Sequence, residues 1–319
     1  MAPTMKPKDL LKRIAGIAVL AFMVWGLWKL HGQLADALAT ADPLLLAAAL
    51  LLAVLYLLVN ASVWSVVLRS VGASPGRWET ARLWISCEAM RWLPGGIWGY
   101  ASRVVEGTRL GIDRGRSGLS LAIELVLTVA SWGIVALVGF ALSPQLRSAI
   151  PAYLGALHLD RWPIAAGAAI AGLLVAALAF ALFRSRITTL LSGIRERLHA
   201  PLPAARALLE YTVLNHLYIL GFLACLAAVG TDPMPGYAAA AGSFALAWIG
   251  GFVAFGAPGG MGVREGLLFL LFVPMGNAES VVIAAILWRA IQIVAELTCL
   301  AIARFASTSR SQSVAAGLR

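Results

Sequence analysis

Six stretches of this chain stay apolar for about the 20 residues a helix needs to cross the hydrocarbon core of a bilayer. They lie at 14–30, 43–68, 118–142, 162–183, 207–229 and 280–303. In hydrocarbon no water satisfies backbone N–H and C=O groups, so an apolar run of that length crosses as a helix. Hydrophobic residues fill 61% of the 319 positions and charged ones 13%, against about 25% charged in a soluble domain. The fold class that follows is an all-α polytopic membrane protein with no soluble domain. The first run follows Lys6, Lys8, Lys12 and Arg13 without a convincing small-x-small cleavage site. It reads as a retained first helix rather than a signal peptide.

Two further apolar regions, 79–106 and 236–273, are each interrupted by Pro-Gly-Gly, at Pro94-Gly95-Gly96 and at Pro258-Gly259-Gly260. Proline removes a donor and glycine weakens helical backbone, so each triplet ends a helix. Both arms of the first region are too short for the ~30 Å core at ~1.5 Å per residue. In the second region the arm before Pro258 is long enough to cross and the arm after it is not. Both regions read as re-entrant helical hairpins with the triplet at the tip.

Six crossings and two hairpins, with both termini in the cytoplasm, put most of the basic residues on the cytoplasmic side. The outer loops keep only Arg147 and Arg161, with Lys29 at a helix end. That is the expected positive-inside asymmetry. Each half of the chain then has the order helix, helix, hairpin, helix, and three crossings per half invert one half relative to the other. The expected organisation is one membrane domain, 1–305, made of half-repeats 1–150 and 151–305 in an inverted-topology repeat, with a flexible cytoplasmic tail at 306–319. Inverted repeats with broken helices are a recurrent transporter design. The stretch 187–205 is basic and partly amphipathic and reads as a cytoplasmic surface segment.

A helix that begins inside the bilayer presents unpaired N–H groups and the positive end of its dipole, which together bind anions. Arg103 follows the first tip and Arg264 the second, and a guanidinium grips a phosphate with paired hydrogen bonds. The headgroup-binding candidates are therefore Pro94, Gly95, Gly96, Trp98, Arg103, Pro258, Gly259, Gly260, Arg264 and Arg289. The plainer reading is that each triplet is a tight turn packed in protein. Glu124, Glu265, Gln292 and Glu296 are candidates for ion pairing or proton coupling. A charge facing lipid alone costs ~2.5–3.5 kcal/mol or more, so these groups face a cavity or one another. Arg289, Gln292 and Glu296 share one helix face by their i, i+3, i+7 spacing. Arg103–Glu106 and Glu88–Arg91 are spaced for local salt bridges. Asn60, Asn215 and His216 are expected to hydrogen-bond between helices.

The net charge is +10. In a membrane chain it implies topology and attraction to anionic lipid headgroups at the cytoplasmic face, not nucleic acid. Cys87, Cys225 and Cys299 stand apart, with no Cys/His cluster for a metal. The sequence holds no P-loop, HExxH motif or Ser/His/Asp set, so neither cofactor nor enzyme activity is expected.

The segments 91–128 ("RWLPGGIWGYASRVVEGTRLGIDRGRSGLSLAIELVLT"), 257–272 ("APGGMGVREGLLFLLF") and 287–297 ("LWRAIQIVAEL") resemble the lysylphosphatidylglycerol synthase transmembrane family. The resemblance covers most of the chain. It carries the family pattern onto Pro94, Gly95, Gly96, Arg103, Glu124, Pro258, Gly259, Gly260, Gly262, Arg264, Glu265 and Arg289. Where the family often has Glu-Arg, this chain reads Glu124-Leu125, so the adjacent partner arginine is absent. The resemblance implies a stand-alone flippase-type domain without the aminoacyltransferase part, in the bacterial inner membrane. It implies movement of a lipid with a polar or phosphate-containing headgroup between leaflets. The alternatives are a non-transporting membrane partner of a lipid-modifying enzyme and a membrane glycosyltransferase.

Overall fold

The computed structural model describes residue 35 and residues 38–92, 98–149, 201–253, 260 and 262–316, with side chains to Arg304 apart from Arg91 and Trp92. Every regular element among them is helical. In chain order these are α1 Pro43–Ser70, α2 Arg77–Glu88, a 3-10 turn Ala89–Trp92, α3 Trp98–Glu106, α4 Arg114–Leu142, the short α5 Pro144–Ser148, α6 Pro201–Ala228, α7 Tyr237–Val253, α8 Val263–Phe272 and α9 Ala278–Ala316. The expected spans 14–30 and 162–183, the surface segment 187–200 and the tip residues Pro94, Gly95, Gly96, Pro258 and Gly259 lie outside the described residues.

Four described helices are long and apolar enough to cross a membrane: α1, α4, α6 and α9 up to Arg304. Their ends are set by local chemistry. Asp42 caps α1, its Oδ1 accepting from the N–H of Leu44 at 2.8 Å and of Leu45 at 3.3 Å, and Pro43 fills the first turn, where no donor is needed. Asp113 caps α4 through the N–H of Arg116 at 2.9 Å. The last helix continues to Ala316 instead of ending near Ala303. α6 and α9 are the inner helices, with 56% and 61% of their apolar windows buried, against 22% for α1 and 28% for α4.

The remaining helices are too short to cross. α2 and α3, of 12 and 9 residues, reach about 18 and 14 Å. α7 and α8, of 17 and 10 residues, reach about 26 and 15 Å. The described part of the arm before Pro258, Tyr237–Val253, spans less than the ~30 Å core, and residues 254–257 of that arm lie outside the described residues. α2 packs on α3 and α7 on α8, so each pair forms a hairpin.

Hydrogen bonds at the helix ends fix which loops share a side. Arg116 Nη1 donates to the carbonyl of Gly72 at 3.0 Å, which joins the entry and exit of the first hairpin. At the other end of α1, the N–H of Asp42 donates to the carbonyl of Ala228 at 3.0 Å. The N–H of Gly236 donates to Gln145 Oε1 at 3.3 Å, and Asn277 Nδ2 to the carbonyl of Pro233 at 3.1 Å. The second hairpin thus leaves and returns at the end where α1 begins, and the first at the end where α1 finishes. Both are re-entrant, and they enter from opposite ends of the bundle.

Packing between the halves is reciprocal. α1 lies against α6 at the centre; α4 packs on α6 as α9 packs on α1. Small residues allow close approach where lipid gives no hydrophobic drive. A Cβ on Gly139 of α4 would stand 2.6 Å from Gly242 Cα of α7. Asn215 Nδ2 donates to Ser131 Oγ at 3.0 Å across the α6–α4 contact, and within the first half Trp64 Nε1 donates from α1 to Ser120 Oγ on α4 at 3.2 Å. His216 Nδ1 meets the Tyr237 hydroxyl at 2.5 Å. Asn60 departs from expectation, its Nδ2 reaching the Tyr56 hydroxyl one turn away on its own helix, at 3.5 Å.

Candidate functional site

The first hairpin is pinned by a buried cation. Arg103, on α3, is 1% exposed. Its Nη1 meets Glu124 Oε2 on α4 at 2.6 Å, and Glu124 Oε1 accepts from Trp84 Nε1 at 3.1 Å. The guanidinium also lies over the rings of Tyr100, Trp64 and Trp84, with centroids at 5.1, 5.3 and 5.6 Å. Such rings attract a cation most when water is excluded. Glu124 thus has an arginine partner after all, drawn from the hairpin and not from its own helix. The local Arg103–Glu106 bridge expected from spacing is not made. Glu106 instead pairs with Arg109 at 2.5 Å, an exposed contact one turn on.

The second hairpin is pinned by a partly buried anion. Glu265 Oε1, on α8, meets Arg289 Nη2 on α9 at 3.0 Å. Its other oxygen accepts from the N–H of Gly262 at 2.8 Å and so caps the start of α8. Gly262 has φ +81° and Gly260 φ +71°, left-handed geometry that glycine adopts without strain. A Cβ on Gly260 would lie 2.7 Å from the carbonyl oxygen of Gly251 on α7. Glycine is therefore required at Gly260 both for its φ and for the backbone approach of α7.

The two pairs occupy matching places with reversed sign. In each half the helix after the tip is tied to the next spanning helix by one interior ion pair. The hairpin supplies the cation in the first half and the anion in the second. In that register the residue before the pinned one is Ser102 in the first half and Arg264 in the second.

Arg264 is treated differently from the other two interior arginines. No carboxylate pairs with it among the described residues. Its Nη1 donates to the Tyr218 hydroxyl at 3.3 Å, and its buried Nε has no acceptor. Tyr218, on α6, is the hub of an aromatic cluster. Tyr56, Trp288 and Trp132 stand edge-on to it with centroids at 5.0, 5.1 and 5.6 Å, and Phe244 is tilted at 5.5 Å. Trp132 stacks on Trp248, which stacks on Phe252. Sequence reasoning missed Tyr218, Trp132 and Trp288, because an aromatic inside an apolar helix reads as ordinary core.

Of the other predicted residues, Trp98 is half-exposed at the start of α3. Gln292 keeps its Nε2 buried without an acceptor. Glu296 is buried and lines, with Glu88 of α2, a narrow recess beside Trp84 and Leu57. The Arg289, Gln292 and Glu296 face does turn into the bundle. Among the described residues no group of His, Cys, Asp or Glu could hold a metal ion.

Helical hairpins from opposite ends, spanning helices around them and interior ion pairs define a multi-pass helical membrane protein. The family model for the lysylphosphatidylglycerol synthase TM region matches residues 13–298, and the chain belongs to that family. No curated protein matches the chain.

Proposed function

We propose that this protein is a lipid translocase of the bacterial inner membrane, moving a lipid with a phosphate-containing or otherwise polar headgroup between leaflets. Both termini lie in the cytoplasm, and 1–150 and 151–305 act as inverted half-repeats. The observation that carries this reading is the sign-reversed ion pairing of two opposed re-entrant hairpins. It supports a reading in which a polar path opens and closes between two halves that exchange roles, as alternating access requires. The headgroup enters this path while the tails stay in lipid.

The residue roles divide by charge compensation. Arg264 is the headgroup contact. Pro94-Gly95-Gly96 and Pro258-Gly259-Gly260 let a headgroup approach backbone N–H groups, with Trp98 at the mouth of the first tip. Arg103, Glu124, Glu265 and Arg289 hold the hairpins in place, and Gln292 and Glu296 continue the polar face. Anionic lipid at the cytoplasmic surface steadies the basic loops.

Reconstitution of the purified chain into vesicles tests the reading. A labelled phospholipid confined to the inner leaflet should become accessible from outside. Arg264→Gln should lower that rate at least about tenfold, the loss of one charge-assisted contact, while the protein stays folded. Vesicles in which wild type moves no lipid, or in which a new covalent lipid product forms, would turn the assignment to a scaffold or an enzyme.

A further inference from the structure

We infer that Arg264, Tyr218, Trp132 and Trp288 form the seat for the phosphate ester of the headgroup, an inference that rests on the translocase reading. Among the described residues Arg264 has no carboxylate partner, unlike Arg103 and Arg289. The nearest acid in sequence, Glu265, is already shared between Arg289 and the N–H of Gly262.

The unsatisfied buried groups of Arg264 and of the two indoles set edge-on to Tyr218 are donors. Arg264 Nε, Trp132 Nε1, Trp288 Nε1 and, one turn along α9 from Trp288, Gln292 Nε2 are buried without acceptors. Trp132 and Trp288 are 0% and 2% exposed, and both rings stand edge-on to Tyr218, whose hydroxyl accepts from Arg264. That hydroxyl keeps its own proton to give. A buried donor without an acceptor bears its full desolvation cost, and here two such indoles pack on the ring of the tyrosine that Arg264 contacts. A sugar hydroxyl would bring further donors. A phosphate diester brings only acceptors and one negative charge, which fits the set.

The seat is closed in this conformation and opens when α8 parts from α6 and α7. The stack from Trp132 through Trp248 to Phe252, which is 37% exposed, gives the acyl chains an apolar edge leading outward.

Calorimetric titration of the full chain in mild detergent tests the seat. The probe is a short-chain, water-soluble phosphatidylglycerol, with the matching diacylglycerol and inorganic phosphate as separate arms. Wild type should bind the phospholipid and not the diacylglycerol. Arg264→Gln should weaken binding at least about tenfold, as expected for hydrogen bonds to a charged group. Trp132→Phe and Trp288→Phe, which keep an aromatic ring and lose the donor, should each weaken it several-fold. Without ligand these tryptophan variants lose some stability to the cavity left by the smaller ring, so the deciding readout is the affinity of the folded protein, which a merely structural role would leave unchanged. Unchanged affinity in Arg264→Gln overturns the seat. Equal binding of inorganic phosphate overturns its assignment to a lipid. Lipid movement that survives with no phospholipid binding at Arg264 sinks the seat alone, and binding at Arg264 without lipid movement sinks the translocase reading alone.

Discussion

Arg103 and Glu124 show what a buried pair does when one member is removed. Glu124→Gln leaves a guanidinium uncompensated at 1% exposure, and breaking a buried pair in this way costs about 3–5 kcal/mol. The expected outcome is a loss of that size in reversible denaturation in detergent. The double variant Arg103→Met with Glu124→Leu should recover most of it, because both desolvation penalties vanish together. Lipid movement should stay impaired in the double variant, since the hairpin loses its anchor. At this scale the sequence was only half informative. It picked out Glu124, Glu265, Arg264 and Arg289 by their cost in hydrocarbon, and each is at least partly buried. It could not say who pairs with whom. Arg103 reaches Glu124 on the next spanning helix, across 21 positions, while the nearer Glu106 goes to Arg109. Spacing within one helix is visible in a sequence, whereas a contact made by folding a hairpin back is not. Tyr218, Trp132 and Trp288 were hidden for a related reason: their polar atoms matter only through neighbours on other helices.

For the elements, the glycines at the second tip are constraints on backbone approach. Gly260→Ala would place a methyl 2.7 Å from the Gly251 carbonyl oxygen at a φ of +71°. The left-handed conformation alone costs a non-glycine residue about 1–3 kcal/mol, and the contact forces α8 away from α7. We expect a lowered melting temperature and lost lipid movement together. Gly139→Leu, at the contact of α4 with Gly242, should act through destabilisation and be read the same way. The spanning helices were the most legible elements: predicted 43–68, 118–142 and 207–229 correspond to Pro43–Ser70, Arg114–Leu142 and Pro201–Ala228. Their length and uniform apolarity leave one structural solution in a bilayer. The hairpins were legible from Pro-Gly-Gly, which interrupts each of the two apolar regions. Of the tip residues, Gly260 is described, and Pro94, Gly95, Gly96, Pro258 and Gly259 lie outside the described residues.

On the scale of the whole molecule, the sidedness of the loops is open to direct measurement. The native cysteines Cys87, Cys225 and Cys299 are all buried, so an introduced cysteine can be read against a quiet background. Ser74→Cys, between α1 and α2, should react with a membrane-impermeant thiol reagent only from the cytoplasmic side, and Met234→Cys, between α6 and α7, only from outside. Labelling of both from one side would end the inverted arrangement of half-repeats. The reversal of sign between the two ion pairs has a consequence for voltage. Two like pairs related by a two-fold axis in the membrane plane would have opposite electric moments along the membrane normal, and those would cancel. Exchanging the signs in one half makes the normal components add instead. An imposed diffusion potential then acts alike on the two halves, so reversing that potential should change the rate of lipid movement and not its direction.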